Sequence, residues 1–143
     1  MFRPGGLASL VRVLALDYGS ARCGCALSDP TGTLATPIDP IERPATRRGF
    51  ARVTELVRDR GVERVVVGLP IGLSGADTDQ TREARAFADR LAGAVAVPVE
   101  MYDERFTTAI AARATDARTS EDSRAAAVLL DDWLVRHAGE AAR

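Results

Sequence analysis

Two short apolar runs, each ending at a turn sequence, constrain the fold of this chain most strongly. Residues 11–16 read VRVLAL and residues 65–67 read VVV, and apolar side chains at consecutive positions are typical of strands buried on both faces. The first run ends at the sequence DYGS and the second at GLP, and both contain residue types that favour turns. Strands of this kind need helices on both sides of their sheet, so the sequence predicts an α/β fold.

The remaining segments complete a mixed sheet. Apolar residues at helical spacing, such as Phe50, Val53 and Val57, predict helices between and after the strands. Pro37 and Pro40 limit the pairing of the third strand, which favours an edge position. The order predicts five strands in one mixed sheet with helices on both faces. The strands are predicted at residues 11–16, 23–27, 33–38, 65–67 and 97–102, and the helices at 43–60, 78–91, 107–117 and 121–137.

The length of 143 residues favours one domain. We expect a flexible lead-in at residues 1–10, a single domain at 11–138 and a short tail at 139–143. No apolar stretch reaches the length of a membrane span, and the first ten residues lack the apolar core of a signal peptide. The sequence therefore predicts a cytoplasmic protein without a membrane partner.

The charge balance excludes a protein that is basic over its whole surface. The formal net charge is −1, and all 19 positions occupied by lysine or arginine are arginine. A local basic patch stays possible at this net charge. Cys23 and Cys25 share one face of a predicted strand, which is a poor geometry for a disulfide, so we expect two reduced, packed thiols.

Acidic residues stand at the ends of two predicted strands. Asp17 follows the first buried strand, where α/β proteins carry their chemistry, although a turn-forming aspartate beside Gly19 explains it equally well. Asp103 and Glu104 close the strand predicted at 97–102. Adjacent strand residues point to opposite faces, so only one of these two acids can share a face with Asp17. The alternative for the pair is a solvated strand end.

A third acid lies on the buried stripe of the last predicted helix. Asp122 is in line with Ala126, Leu129 and Trp133, and no basic residue shares that stripe. A buried carboxylate needs a partner or a cation. The alternative is helix capping, because the segment TSED at 119–122 fits a loose capping box.

The three acidic positions suggest a cation site if they meet at the carboxyl edge of the sheet. Their negative charges would repel one another unless a cation joined them. Oxygen ligands suit hard divalent ions such as Mg²⁺ or Mn²⁺. Two such ions about 4 Å apart can hold the attacking water and the leaving oxygen of a phosphodiester. The resulting hypothesis is metal-assisted phosphodiester hydrolysis.

Four segments, in order along the chain, resemble the motifs of one family. The sequence LDYGSARCG at 16–24 resembles a D-x-G-x-x-R-x-G motif, and VVGLP at 66–70, with Gly75 after it, resembles the second motif. The sequence DERFTT at 103–108 matches a D-E-R-x-T-T signature. Asp122, with the alanines and leucines that follow it, resembles a terminal D-x-x-A-A helix. The chain thus resembles the YqgF/RuvX-like proteins over nearly its whole length.

This resemblance implies a fold, an activity and a site. YqgF/RuvX-like proteins have an RNase H-like fold and are described as nucleases that mature the 5′ end of pre-16S rRNA, or as Holliday-junction resolvases. The resemblance implies that Asp17, Glu104 and Asp122 are catalytic acids that bind Mg²⁺ or Mn²⁺, and it selects Glu104 over Asp103. The implied partners are pre-rRNA, branched DNA or both. Symmetric junction resolution would require two active sites in a homodimer.

The segment before the last helix departs from the family pattern. The family usually carries a longer loop rich in lysine and arginine there, whereas residues 109–121 carry only Arg113 and Arg118. Phosphate contacts supply much of the affinity of a nucleic-acid-binding protein, so the shorter loop lowers the affinity for substrate that we expect from this segment. Arginines of the helix predicted at 43–60 are placed to compensate.

Candidate contacts to nucleic acid come from several segments. Arg22, in the first motif, would lie near the substrate phosphate, and its alternative is a surface ion pair. The alternative for the first helix is a solvated face with Arg52 paired to Glu55. The candidate contacts are Arg22, Arg47, Arg48, Arg105, Thr107 and Arg118.

Two other classes of function are open at this point. A phosphotransfer ATPase of the actin-like or sugar-kinase type also has a D-x-G turn at a strand end, but it needs two such domains and this chain has room for one. A non-catalytic nucleic-acid-binding or ribosome-assembly adaptor would keep the fold and would not need the acids. Removal of the acids therefore distinguishes an adaptor from a nuclease.

Overall fold

The computed structural model describes residues 11–70, 77–103 and 121–137. All five predicted strands and three of the four predicted helices are present in these ranges, with ends that differ from the prediction by at most four residues. The helix predicted at 107–117, the lead-in at 1–10 and the tail at 139–143 lie outside the described residues. The strands are β1 (Val13–Asp17), β2 (Arg22–Ser28), β3 (Ala35–Glu42), β4 (Arg64–Leu69) and β5 (Val99–Asp103), and the helices are α1 (Arg47–Asp59), α2 (Asp79–Ala94) and α3 (Glu121–Arg136).

The five strands form one mixed sheet in the order β3-β2-β1-β4-β5. β2 runs antiparallel to β1 and to β3, whereas β1 is parallel to β4 and β4 is parallel to β5. The strand that carries Pro37 and Pro40 lies at an edge, as predicted from its prolines. Because β1, β4 and β5 are parallel, their carboxyl ends meet at one edge of the sheet.

The central strands are buried on both faces by helices. On β1, Leu14 and Leu16 pack with the apolar residues of α1 and α2, while Val13 and Ala15 pack with those of α3. We call these two sides the α1/α2 face and the α3 face. The valines of β4 are also fully buried, with Val65 and Val67 on the first face and Val66 on the second. The predicted mixed sheet with helices on both faces is therefore confirmed.

The first helix begins four residues later than predicted. β3 continues to Glu42, and Arg43 stands before Pro44 with a φ of 44°. A residue before proline is disfavoured in the helical region, so α1 cannot begin at Arg43. Thr46 caps the helix instead, because its hydroxyl accepts a hydrogen bond of 3.1 Å from the backbone N–H of Gly49.

Both cysteines are buried and form no disulfide, as predicted. Cys23 and Cys25 lie on the α1/α2 face of β2, where they pack as small apolar side chains. Within ranges 11–70, 77–103 and 121–137, no helix combines the length and hydropathy that crossing a bilayer requires.

We predict that Gly49→Ala destabilises the protein while Gly93→Ala does not. A Cβ at Gly49 would lie 2.0 Å from the carbonyl oxygen of Arg43, a backbone atom that cannot move without disturbing the junction between β3 and α1. We expect Gly49→Ala to lower the free energy of unfolding by about 1–3 kcal/mol, as overpacking does. At Gly93, on the exposed side of α2, a Cβ meets nothing within 4 Å, so Gly93→Ala should raise the free energy of unfolding by up to about 1 kcal/mol. Urea denaturation checks both values, and equal stability of the two variants would contradict the prediction.

Candidate active site

Asp17 lies at the carboxyl end of β1, half-buried, on the α3 face of the sheet. This face follows from the alternation of side chains along β1, since Val13 and Ala15 pack against α3. Asp17 pairs with Gly24 in β2. On its other side, in β4, lies Gly68, because Leu16 pairs with Val67 and each strand continues by one residue. Neither glycine has a side chain, so neither neighbouring strand places a side chain directly beside Asp17.

The two residues after Asp17 have structural roles. Tyr18 is buried on the α1/α2 face, where its ring lies 4.9 Å from the ring of Phe87. Burial raises the pKa of the Tyr18 phenol above its ordinary value, so the hydroxyl is neutral at physiological pH. Gly19 allows a close approach in the turn, because a Cβ there would lie 2.5 Å from the carbonyl oxygen of Arg22. The glycine of the D-x-G motif is therefore required by the backbone.

Asp103, the last residue of β5, lies on the opposite face of the sheet from Asp17. Tyr102 packs in the cluster that α3 covers, and alternation places Asp103 on the α1/α2 face together with its parallel partner Leu69. The acid that follows it, Glu104, lies outside the described residues. The register of β5, which the sequence does not reveal, thus separates Asp103 from the candidate site.

The first turn of α3 is held next to β2 by a buried serine. Ser123 is completely buried, and its hydroxyl donates a hydrogen bond of 2.6 Å to the carbonyl oxygen of Ile38. The Oγ of Ser123 also accepts a hydrogen bond of 3.3 Å from the backbone N–H of Cys25. Cys25 follows Gly24, the partner of Asp17, so α3 begins one strand away from Asp17. Asp122 precedes Ser123 in the helix, and its side chain lies outside the described residues.

Ser123 bridges an irregular part of the β2–β3 ladder. Cys23 pairs with Ile41 and Cys25 with Ile38, so two steps along β2 correspond to three along β3. Such a bulge disrupts the regular hydrogen bonds of a ladder, and the serine hydroxyl satisfies both groups at this point. The sequence alone did not predict this role. The available signal was a small polar residue three positions before Ala126, on the buried stripe of the helix.

The far end of α3 is fixed by Trp133, which is buried as the predicted stripe requires. Its indole N–H donates a hydrogen bond of 3.1 Å to Glu100, and Glu100 forms an ion pair of 2.7 Å with Arg64. The ring of His137 stacks on Trp133 with 4.1 Å between the ring centroids. These contacts identify Trp133 as an anchor of the fold.

A second polar contact joins α3 to β5. The hydroxyl of Tyr102 donates a hydrogen bond to Asp132, which also accepts one of 2.9 Å from Arg136. Burial and, next, the hydrogen bond to Asp132 raise the pKa of Tyr102 above its ordinary value. The carboxylate of Asp132 is therefore engaged in holding the helix and not in the candidate site.

Three of the candidate nucleic-acid contacts lie in the described part of the chain. Arg22 is exposed at the start of β2, and alternation along that strand puts it on the α3 face with Gly24. Arg47 and Arg48 are exposed in the first turn of α1. Outside the described residues lie Arg105, Thr107 and Arg118.

The described side chains contain one of the three acids expected to bind a cation. That acid is Asp17, since Glu104 and the side chain of Asp122 lie outside the described residues. Among the described residues no group of three or more histidine, cysteine, aspartate or glutamate side chains is arranged to hold a metal ion.

Solved structures share this arrangement of strands and helices. The structure of T. thermophilus RuvC in complex with a Holliday junction substrate matches with a TM-score of 0.60 and 18% sequence identity, covering 90% of this chain and 96% of that one. The yeast mitochondrial Holliday junction resolvase Ydc2 matches with a TM-score of 0.56 and 10% identity, covering 90% and 80%. The sheet order, the helices on both faces and these neighbours define a protein of the RNase H-like fold.

Sequence comparison then identifies the family. A family model described as "RuvX: Holliday junction resolvase" matches residues 11–136. A protein of Chloroflexus aurantiacus named "Putative pre-16S rRNA nuclease" is 38% identical over 130 residues, which are 85% of each chain. A protein of Mycobacterium leprae with the same name is 42% identical over 132 residues, covering 86% of this chain and 72% of that one. The chain belongs to the RuvX family, a family of nucleases, as its motifs predicted.

We predict that Ser123→Ala lowers the free energy of unfolding by about 1–3 kcal/mol, because it leaves the N–H of Cys25 and the carbonyl of Ile38 buried without their shared partner. The matched control is Thr54→Ala on α1, which removes the hydroxyl of a half-buried residue whose hydrogen bond to the backbone of Ala51 is exposed to solvent. The control should change stability by less than about 0.5 kcal/mol. Thermal and urea denaturation measure both, and a Ser123→Ala variant as stable as the control would contradict the anchoring role.

Proposed function

We propose that this chain is a divalent-metal-dependent nuclease that hydrolyses phosphodiester bonds in structured nucleic acid. In this proposal Asp17, Glu104 and Asp122 are the catalytic acids. The observation that carries the proposal is the position of Asp17. Its carboxylate stands where three parallel strands end, on the face that α3 covers, between two glycines.

The choice of Glu104 rests on the register of β5. Asp103 lies on the α1/α2 face and cannot share a cation with Asp17 across the sheet. Because consecutive strand residues alternate between faces, the next acid in the chain is the better partner for Asp17. The choice of Asp122 rests on Ser123, which holds the start of α3 beside the strand that pairs with Asp17.

Three carboxylates are a donor set that suits Mg²⁺ or Mn²⁺, which prefer oxygen ligands. When bound, such ions supply Lewis acidity toward the phosphate and lower the pKa of water. The protein residues have the complementary tasks of holding the charge and orienting the backbone. Arg22, exposed on the same face as Asp17, is placed to contact a phosphate next to the scissile bond.

The names of the relatives suggest two substrates for this chain. The family model is named for Holliday junction resolution, and the relatives are named for pre-16S rRNA. We include both in the proposal, with the 5′ end of pre-16S rRNA and a four-way DNA junction as the substrates to test. Processing of an rRNA precursor would take place in the cytoplasm, and symmetric junction cleavage would require a homodimer.

The decisive measurement is a cleavage assay with Mn²⁺ or Mg²⁺ against single-stranded RNA, a pre-rRNA leader and a four-way DNA junction. We expect Asp17→Asn, Glu104→Gln and Asp122→Asn each to reduce cleavage by more than about 100-fold, since loss of an outer-shell partner alone typically costs 10- to 100-fold. Circular dichroism and thermal denaturation would check that each variant keeps its fold.

The matched control is Asp103→Asn, which changes the neighbouring acid on the opposite face of the sheet and should keep activity within about threefold of the parent. Equal loss in Asp103→Asn and Glu104→Gln would contradict the assignment of Glu104. Full nucleic-acid binding without cleavage in the parent protein would favour the adaptor, and nucleotide hydrolysis without cleavage would favour the ATPase.

A further inference from the structure

A groove of about 500 Å³ lies where β3 meets the start of α1. Three arginines and one glutamate contribute most of its polar surface. We call it the arginine groove, and its lining residues are Glu42, Arg43, Thr46, Arg48, Gly49 and Arg52.

The arginines of this groove have no acidic partner among the described residues, unlike several other arginines of the chain. Elsewhere the guanidinium groups are commonly neutralised by acids, as in the pairs Arg64–Glu100, Arg82–Asp79, Arg85–Asp77 and Arg136–Asp132. By contrast, none of Arg43, Arg48 and Arg52 forms an ion pair within ranges 11–70, 77–103 and 121–137.

The arginine–glutamate pairing that the sequence suggested for α1 is also absent there, since Arg52 does not pair with Glu55. The one acid of the groove, Glu42, pairs with none of its arginines. The groove therefore has a net positive charge, and its guanidinium groups have unused hydrogen-bond donors for an anion.

The backbone of Arg43 is held in a conformation that most residues avoid. Its φ of 44° is the one positive value at a non-glycine residue among the described positions. Three hydrogen bonds fix it: its N–H donates to Ala21 at 2.9 Å, and its carbonyl accepts from the N–H and the hydroxyl of Thr46 at 3.1 and 2.7 Å. Backbone strain of this kind persists where the surroundings impose it, and it clusters at ligand sites.

The groove lies at the same edge of the sheet as Asp17. Asp17 pairs with Gly24 in β2, and Arg22, two residues away on the same face, pairs with Glu42 at the groove. Strand spacing and rise put the Cα atoms of Asp17 and Glu42 about 12 Å apart. A duplex rises about 3.4 Å per nucleotide, so this separation corresponds to three or four nucleotides.

We propose that the arginine groove binds the sugar–phosphate backbone of a nucleic acid whose scissile bond lies at Asp17. Arg48 and Arg52 contact phosphates from the exposed face of α1, and Arg43 contacts them from the junction with β3. Arg22 lies between the groove and Asp17. The inference rests on the proposed function, because it takes the substrate to be a nucleic acid.

The test measures binding apart from cleavage. A fluorescently labelled single-stranded RNA and a labelled four-way DNA junction are titrated with the full chain in EDTA, at a series of salt concentrations, and anisotropy gives the affinity. We expect the double variant Arg48→Gln/Arg52→Gln to bind about tenfold or more weakly and to reduce the slope of log K against log salt by about 1.4 for the single strand and 1.8 for the duplex arms.

The matched control is Arg82→Gln/Arg85→Gln on α2, which changes the net charge equally but removes arginines already paired with Asp79 and Asp77. This control should have the same slope of log K against log salt as the parent protein. Glu42→Gln should tighten binding of both probes, because it removes the one carboxylate of the groove. Equal slopes for the two double variants, or weaker binding by Glu42→Gln, would overturn the proposal.

Failure of this inference and failure of the proposed function give different results. If the arginine groove does not bind nucleic acid, the parent protein still cleaves its substrate and Asp17→Asn does not. In that case the salt slope of Arg48→Gln/Arg52→Gln equals that of its control. If the chain is not a nuclease, no probe is cleaved with Mn²⁺ or Mg²⁺. A reduced salt slope for Arg48→Gln/Arg52→Gln would still support binding of nucleic acid in the arginine groove.

Discussion

The burial of β1 on both faces is the constraint on which the rest of this structure depends. A strand covered by α1 and α2 on one side and by α3 on the other has no place for an unpaired carboxylate, which would lose its hydration in the apolar core. The first position at which β1 can carry an acid is its carboxyl end, where Asp17 stands half-buried. The parallel pairing of β1 with β4, and of β4 with β5, then brings further strand ends to the same edge. The core thus determines where charge can collect.

The α3 helix connects this edge to the remainder of the fold through polar contacts at both of its ends. At its start, the hydroxyl of Ser123 bridges β2 and β3, and at its far end Trp133 and Asp132 contact β5 through Glu100 and Tyr102. Apolar packing alone would tolerate small shifts of the helix along the sheet, whereas directional hydrogen bonds between buried and half-buried groups specify one register. A site that draws a ligand from α3 depends on that register, because a misplacement of about 1 Å can greatly reduce catalysis.

The sequence was informative where local patterns determine structure. Apolar runs located the buried strands, prolines located the edge strand, and the stripe that includes Trp133 located the buried side of α3. Its predictions were wrong or incomplete where partners are distant in sequence. Spacing alone left the choice between Asp103 and Glu104 open until the family resemblance selected Glu104, because the register of β5 against β4 joins distant segments. The role of Ser123 depends on groups on strands 85 and 98 residues away. The late start of α1 follows from Pro44, which disfavours helical backbone at Arg43 and overrides the helical spacing of the apolar residues.

The distribution of ion pairs explains how a chain with a net charge of −1 can bind a polyanion. An acid that forms an ion pair with an arginine reduces the attraction of that arginine for phosphate. Asp77 pairs in this way with Arg85, and Asp79 pairs with Arg82. Arginines that form no ion pair keep more of their attraction for phosphate, and three of those in the described chain, Arg43, Arg48 and Arg52, line the groove where β3 meets α1. The segment at 109–121 is short, and its only basic residues are Arg113 and Arg118. Contacts that bind substrate phosphates are therefore needed from other parts of the chain. In our proposal, the arginine groove, at the edge of the sheet that carries Asp17, supplies this attraction without making the whole surface basic.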